Sequence, residues 1–509
     1  MTASLIGPLT TLVDTISPAC EHENCTSSAS TPTVLDTLVG FDMARGNRFY
    51  EFQLLWLSIG CLVALIADRQ AAAGRRRLAA KDSREERAEG GLSSAGSASA
   101  LAALTKQYLL VYAIVMGADW LQGPYVYSLY REQYEFPERI VAILFVTGFM
   151  SAGLAAPLIG VWADQHGRKR LCLVFCFTYT LACLCILVPF LPILLIGRVL
   201  GGISTSILFS AFESWLVSAA SSHALPQSDL STIMGRATLV NGLVATGAGV
   251  FSNQLVGFTG SFASPFIASG GLLILAWAVI RGSWIENYGG SGDVASAVSD
   301  PFQLGRLRVA LRIVSDDPRL LVLGLTQTCF EGSMYLFVFL WVPSLQEFSL
   351  MGLLPLGYIF SSFMLSMMLG SILYTYLSSA STETSLLTHA KLSSAVCALS
   401  ALALAVSVSQ PDERLRFWAF CVFEACVGLY YPVQGMLRST LIANEHRATL
   451  SSLFRVPLNV FVVVSLLTGV SSARSAVLTA SSLMLAFSSI MTGAVIVNRV
   501  ENVATGNRP

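Results

Sequence analysis

Seven charged side chains stand inside long apolar stretches of this sequence: Asp119, Arg198, Glu213, Arg236, Glu331, Glu424 and Arg455. At bilayer depth an ionised group costs a few kcal/mol or more, so such residues mark a transport pathway, a proton relay or an interhelical ion pair. Two guanidiniums with amide and hydroxyl groups around them are the chemistry of an oxyanion site. The guanidiniums neutralise a dianion through charge-assisted bonds, and Asn, Gln or Tyr complete its shell. Arg236 is followed by Asn241 and Arg455 by Asn459, one such pair in each half of the chain. Gln122 and Tyr125 add an amide and a phenol to the inventory. Asp119 and Gln122, three apart, share a helix face, with Tyr125 a further turn along. The carboxylates Asp119, Glu213, Glu331 and Glu424 would balance the arginines when no anion is bound, or carry protons if transport is coupled. Each charge also has a plainer use. Arg198 fits either pairing with a carboxylate or proton coupling, and Arg236 and Arg455 lie near span ends, from which they could snorkel to the interface.

These residues need a membrane fold to position them. The chain has 509 residues, of which 54% are hydrophobic and 12% charged, with a formal net charge of zero. Soluble domains carry about 25% charged residues. A chain this long at half that density cannot cover a water-facing surface, and zero net charge removes the positive field a nucleic-acid binder needs. A span needs roughly 20 apolar residues. By that measure the sequence predicts one span at 49–67, then six in 106–285 and six in 319–498. The remaining segments are 1–48, a basic linker at 68–105, a central loop at 286–318 and a tail at 499–509. Basic residues gather in the linker, in the Gly167–Arg170 turn and in the central loop, which predicts that these are cytoplasmic and that 1–48 is on the opposite face. The fold class expected is an all-α polytopic membrane protein with two six-helix bundles and an extra N-terminal helix. Pro124, Pro432 and Pro457 are expected to free backbone carbonyls beside a polar cavity. Nine of the eleven cysteines lie in apolar runs and read as packing residues. No His, Cys or carboxylate spacing suggests a metal site or a catalytic constellation, so neither cofactor nor enzymatic activity is expected.

The turn after the second core span reads Gly160-Val-Trp-Ala-Asp164-Gln-His-Gly167-Arg168-Lys169-Arg170. This G-x-x-x-D-x-x-G-R-K spacing resembles the signature loop of the major facilitator superfamily, and Arg198-Val-Leu-Gly-Gly202 resembles its intramembrane R-x-x-x-G element. The strings around Asp119–Tyr127, Ser210–Trp215, Phe360–Met364, Phe423–Tyr430 and Phe454–Pro457 are similar to the eukaryotic molybdate-anion transporter branch. The resemblance covers the whole core and the extra first helix. It implies uptake of the molybdate oxyanion by alternating access, with Asp164 and Arg168 in a conformational lock at the cytoplasmic rim. The halves also echo each other, Gln122-Gly123 matching Glu331-Gly332, as expected of two six-helix repeats.

The expected protein is therefore a monomeric transporter in the plasma membrane, with molybdate as substrate, lipid as its surroundings and protons as a coupling ion if one is used. Another small anion such as sulfate, or a transporter-like receptor or scaffold, are the rival readings. The sequon Asn24-Cys25-Thr26 lies in segment 1–48. In sealed vesicles, protease should therefore reach segment 1–48 and the Arg75–Arg77 linker from opposite sides, and digestion of both from one side would contradict the thirteen-span count.

Overall fold

Proline, glycine and capping aspartate determine where the helices begin and end. The computed structural model describes residues 48–71, 73–74, 95–288, 311–347, 349, 354–380, 385–442, 447–468 and 474–498, although a few side chains within helices, that of Asp164 among them, lie outside the described set. Segment 1–47, most of the basic linker, residues 289–310 of the central loop and the tail lie outside it too. The first helix, α1, is Arg48–Ala71. The first half of the core follows as α2 (Ala95–Gln122), α3 (Glu138–His166), α4 (Arg168–Cys185), α5 (Leu191–Ser222), α6 (Gln227–Thr259) and α7 (Ser264–Ser283). The second half is α8 (Pro318–Gln346), α9 (Leu356–Ala380), α10 (Ser385–Ser409), α11 (Glu413–Leu441), α12 (Arg447–Thr468) and α13 (Arg474–Thr492).

Local sequence accounts for these ends. Gly167 turns the chain between α3 and α4 at φ +100°, and Gly260 closes α6 at φ +68°, both in the left-handed region that glycine enters without a Cβ penalty. Pro192, Pro265 and Pro318 open α5, α7 and α8, where the missing N–H has no intrahelical partner to lose. Asp317 and Asp412 cap α8 and α11 by accepting from the backbone N–H of Arg319 (2.9 Å) and Arg414 (3.1 Å). The three prolines do not all act alike. Pro124 tightens Gly123–Tyr125 into a 3-10 turn, whereas α11 and α12 continue through Pro432 and Pro457.

The helices pair in the same pattern twice. In the first half α2 packs on α6 and α7, α3 on α5, and α4 on α5 and α7. In the second half α8 packs on α12 and α13, α9 on α11, and α10 on α11 and α13. The halves meet through α6 against α9 and α3 against α12, two contacts related by the same internal symmetry. Large apolar side chains such as Leu62, Phe177, Phe251, Ile267, Leu402 and Ile490 point outward, as a lipid-facing surface requires. Ten of these helices are long and apolar enough to cross a membrane. The other three are α4, α6 and α12. Of these, α6 carries Arg236 and Asn241 and α12 carries Arg455 and Asn459, so their apolar character is diluted by the residues singled out in the sequence. All nine cysteines in the described spans are free thiols, and all but Cys185 are buried.

Close approach fixes both the interior of each half and the seam between them. A Cβ on Gly370 of α9 would collide with the Ala425 carbonyl of α11, and one on Gly428 of α11 with the Met367 carbonyl of α9. At the seam, a Cβ on Gly357 of α9 would collide with the Gly249 carbonyl of α6. Overpacking typically costs about 1–3 kcal/mol. Gly370→Ala should therefore lower the thermal stability of the purified protein. Gly357→Ala should instead move the halves apart with stability nearly kept. Thermal unfolding, measured together with a spin-label distance across the seam, separates the two effects.

Candidate functional site

The second half holds a connected charged cluster. Glu331, near the middle of α8, accepts from Gln327 Nε2 (3.3 Å) one turn back and from the Tyr430 hydroxyl of α11 (3.4 Å). Arg438 of α11 completes an ion pair with it, Nη2 to Oε1 at 3.7 Å. Arg455 of α12 lies within electrostatic reach of the same carboxylate. Two buried groups on this face of α11 have no hydrogen-bond partner: both polar atoms of the Gln434 side chain, and Arg438 Nε. Helical spacing sets Tyr430, Gln434 and Arg438 on one face of α11. Arg438 was not among the charges singled out in the sequence, although it lies inside the tenth core span; its place near the span's end made it look like an ordinary flanking charge.

Arg236 and Arg455 occupy matching places in the two halves, each about 13 Å along its helix from the end nearer the Gly167 turn. Both are exposed, and neither forms an ion pair among the described residues. The pairing with Glu213 and Glu424 that would have made them structural ties is thus not formed. Glu213, just beyond the break in α5 at Phe209–Ser210, is exposed and borders a recess with Tyr108, Tyr112 and Met234. Glu424 is buried in α11 with no hydrogen bond or ion pair among the described residues. Of the two asparagines, Asn241 accepts from Trp120 Nε1 (2.8 Å), and Asn459 lies against Gly153 across the seam between α12 and α3.

The other candidates fall in the first half. Asp119 accepts a hydrogen bond from the Tyr179 hydroxyl (2.6 Å), and Gln122 Nε2 donates to Ser269 Oγ (2.8 Å). Tyr125 leaves their neighbourhood because the Pro124 turn reorients the chain. Its hydroxyl donates to Asn253 Oδ1 (2.9 Å), and its ring stacks on Phe262. The set Asp119, Gln122 and Tyr125 therefore does not converge on one point. Arg198 has no carboxylate within ion-pairing distance among the described residues; its Nε donates to the Leu144 carbonyl (3.1 Å), and the guanidinium lies over Phe145.

At the Gly167 turn the Asp164 side chain lies outside the described residues. The rest of the loop is held by a segment that the sequence reading assigned to a solvated loop. Glu286 places its carboxylate on the N-terminus of α4, accepting from the backbone N–H of Lys169 (2.8 Å) and Arg170 (3.1 Å). A carboxylate is favoured there by the unsatisfied N–H groups and the helix dipole. Lys169 Nζ donates to the Trp284 carbonyl (2.6 Å), the Arg168 N–H donates to Asn287 O (3.0 Å), and Trp284 stacks on Trp215. The signal available in the sequence was the Trp284-Ile-Glu286-Asn287 string at the end of the sixth core span.

The opposite face, at the Pro137 turn, is zipped between the halves. Arg474 of α13 pairs with Glu138 of α3 at 2.9 Å, and Gln346 Nε2 donates to Glu132 (2.8 Å). Gln254 donates to Tyr358, and Ser361 to the Thr246 carbonyl (2.8 Å). Phe339 meets Tyr127 and Phe145, and Tyr335 meets Phe149. All of these lie between mid-depth and the Pro137 face. In the connection between α2 and α3, Tyr134 donates to the Ile186 carbonyl (2.8 Å), and burial pushes its phenol above the ordinary value, which keeps it a neutral donor.

Two bundles related by internal symmetry and zipped at one face are the architecture of an alternating-access carrier. Residues 78–419 match the major facilitator family model described as sugar transporters with 12 TM. A molybdate-anion transporter from Xenopus tropicalis is 36% identical over 362 residues, covering 70% of this chain and 76% of that protein. The chain belongs to the molybdate-anion transporter family of the major facilitator superfamily. A second relative in that family, from Danio rerio, is 34% identical over 382 residues, covering 71% of this chain and 78% of its own length. Among solved structures, the peptide transporter POT in complex with sulfate gives a TM-score of 0.61 at 12% identity, covering 78% of this chain and 94% of that one. The nucleoside transporter NupG gives 0.59 at 12% identity, covering 76% and 98%. At such identities the likeness speaks for the major facilitator fold alone.

Hydrogen bonds to charged groups contribute roughly 1.5–3 kcal/mol each. Breaking the ion pair that joins the halves of this family member, with Arg474→Ala, should lower the ratio of zipped to open molecules by about one to two orders of magnitude. Spin labels at the exposed Glu135 and Gln410 would report a longer distance; an unchanged distribution would mean that this pair does not hold the face closed.

Proposed function

We propose that this protein carries molybdate across a membrane by alternating access, with its two bundles rocking about a site between them. The observation that carries the reading is the match to molybdate-anion transporters at 32–36% identity along the core. The broader description of the family model, sugar transporters, is less specific than these relatives, and a pathway carrying arginines suits an oxyanion better than a neutral sugar. Arg236 and Arg455 are the residues assigned to the substrate, one from each half, with Asn241 and Asn459 nearby and Gln122 and Tyr125 bracing the first half. Two guanidiniums that form no ion pair among the described residues supply the charge a dianion lacks once it leaves water.

The basic loops put the Gly167 turn on the cytoplasmic side and the zipped Pro137 face outside. On that assignment the described arrangement is the inward-facing one, and Arg474–Glu138 is the outer latch. Glu286 fastens the signature loop within the first half, with Asp164 and Arg168 assigned to the inner lock. The carboxylates Asp119, Glu213, Glu331 and Glu424 are the groups that would carry coupled protons. Residence in the plasma membrane and a monomeric state belong to the same proposal.

The test is uptake of labelled molybdate by proteoliposomes of the purified protein, with sulfate and tungstate as competitors and a pH gradient imposed in each direction. Saturable molybdate uptake that sulfate inhibits only weakly is the expected result. Arg236→Gln and Arg455→Gln should each weaken molybdate binding by at least roughly tenfold with thermal stability preserved, and Lys in either place should restore only part of it, lacking the planar two-donor fork. Full molybdate affinity in both single variants would contradict the assigned site, and uptake of sulfate alone would favour the neighbouring-anion reading.

A further inference from the structure

Within the first half, helices α2 to α5 surround a cavity of about 130 Å³, on whose wall stand Gln122, Tyr130, Phe149, Tyr179, Arg198 and Thr205. Liquid water takes about 30 Å³ per molecule, so the space suits an occupant larger than one water. Its wall is rich in donors and poor in acceptors. The Arg198 guanidinium has five N–H groups, of which Nε–H is spent on the Leu144 carbonyl at 3.1 Å. The Tyr130 hydroxyl is fully buried with its oxygen turned to the Arg198 guanidinium, and its own O–H has no acceptor among the described residues. Among the other polar groups, the Tyr179 hydroxyl donates to Asp119 (2.6 Å), Thr205 to the Gly201 carbonyl (3.0 Å) and Gln122 Nε2 to Ser269 (2.8 Å).

The backbone is shaped to admit this cation. A Cβ on Gly148 would lie 2.8 Å from Arg198 Nη2, so glycine lets the guanidinium lie flat against α3, and Gly202 lets α3 and α5 approach to make the pocket. Asp119 forms no ion pair with it among the described residues and accepts the Tyr179 hydroxyl instead. A half-buried cation with free donors and no ion-pair partner among the described residues favours a negative occupant beside it.

We propose that this cavity is a second anion site, which takes a small inorganic anion, from a halide to a tetrahedral oxyanion, with Arg198 as its cation and Tyr130 as its hydroxyl donor. The site is separate from Arg236 and Arg455 and does not rest on their assignment to the transported substrate. Phe149 of its wall meets Tyr335 of the other half at 5.1 Å between ring centroids, so parting the halves would uncover it.

Equilibrium binding of labelled chloride, sulfate and molybdate to the purified full-length protein tests the proposal. The background is the double variant Arg236→Gln, Arg455→Gln, which removes the other candidate site. Saturable binding of at least one of the three anions should survive in that background, with chloride alone marking a halide site and sulfate or molybdate marking an oxyanion site. Adding Arg198→Gln should abolish that binding, and adding Tyr130→Phe should weaken it roughly tenfold, the usual effect of losing one hydrogen bond to a charged group. If Arg198→Gln does not fold by thermal unfolding, Tyr130→Phe, which keeps the ring, carries the test. No saturable binding in the double variant, or unchanged affinity in Tyr130→Phe, would overturn the proposal and leave the cavity to water. Failure of molybdate uptake alone would strike the transport reading and not this site.

Discussion

Inside a membrane protein an arginine must find a negative partner, reach the interface or stand where an anion will come to it. Much of this structure follows from that constraint. Five cations in or near the spans illustrate the choices. Arg438 takes a carboxylate partner, Glu331, and Arg474 takes one across the seam, Glu138. Arg198 and Arg236 take none among the described residues, and Arg455 shares Glu331 only at a distance. Arg236 and Arg455 lie in helices that also carry an amide, Asn241 and Asn459, while Arg198 shares its cavity wall with Tyr130 and Tyr179 of other segments. Apolar helix surface lies on the outside, where Phe177, Ile267 and Leu402 are exposed.

The two halves turn this local electrostatic problem into a cycle. Each is a six-helix unit held by glycine-mediated approaches that leave little room for internal adjustment, such as Gly370 on Ala425. Rigid units must then move as units. Among the described residues their seam includes reversible contacts: the Arg474–Glu138 ion pair, a few hydrogen bonds and rings packed edge to face. α1 adds a strap to the second half, where Tyr50 meets Glu413 and Phe49 packs against Arg414. Cys61 of the same helix packs on Leu365 and Met368 of α9.

Much of the fold was legible in the sequence because membrane helices announce themselves by length, apolarity and the absence of internal charge. The paired six-helix pattern was visible in the echo of Gln122-Gly123 in Glu331-Gly332. The site was legible in composition but not in geometry. Charges such as Arg236 and Arg455 stand out against apolar neighbours, whereas their partners depend on helix rotation and on residues far away in the chain. Tyr125 could not be placed because one 3-10 turn at Pro124 swings it toward Asn253. Glu286 was missed for a related reason: a carboxylate after the last helix of a bundle looks solvated until the fold returns it to the start of α4. Arg438 was overlooked because a flanking charge and a pathway charge look alike in one dimension.

The central claim is that arginines without carboxylate partners bind the oxyanion. The most direct measurement is anomalous diffraction at the molybdenum absorption edge from crystals of the full-length protein grown with molybdate, since it locates the metal of the anion without reference to any mutant. The account predicts anomalous density within hydrogen-bonding reach of the guanidiniums of Arg236, Arg455 or Arg198. Molybdenum held in the protein away from all three arginines would contradict it.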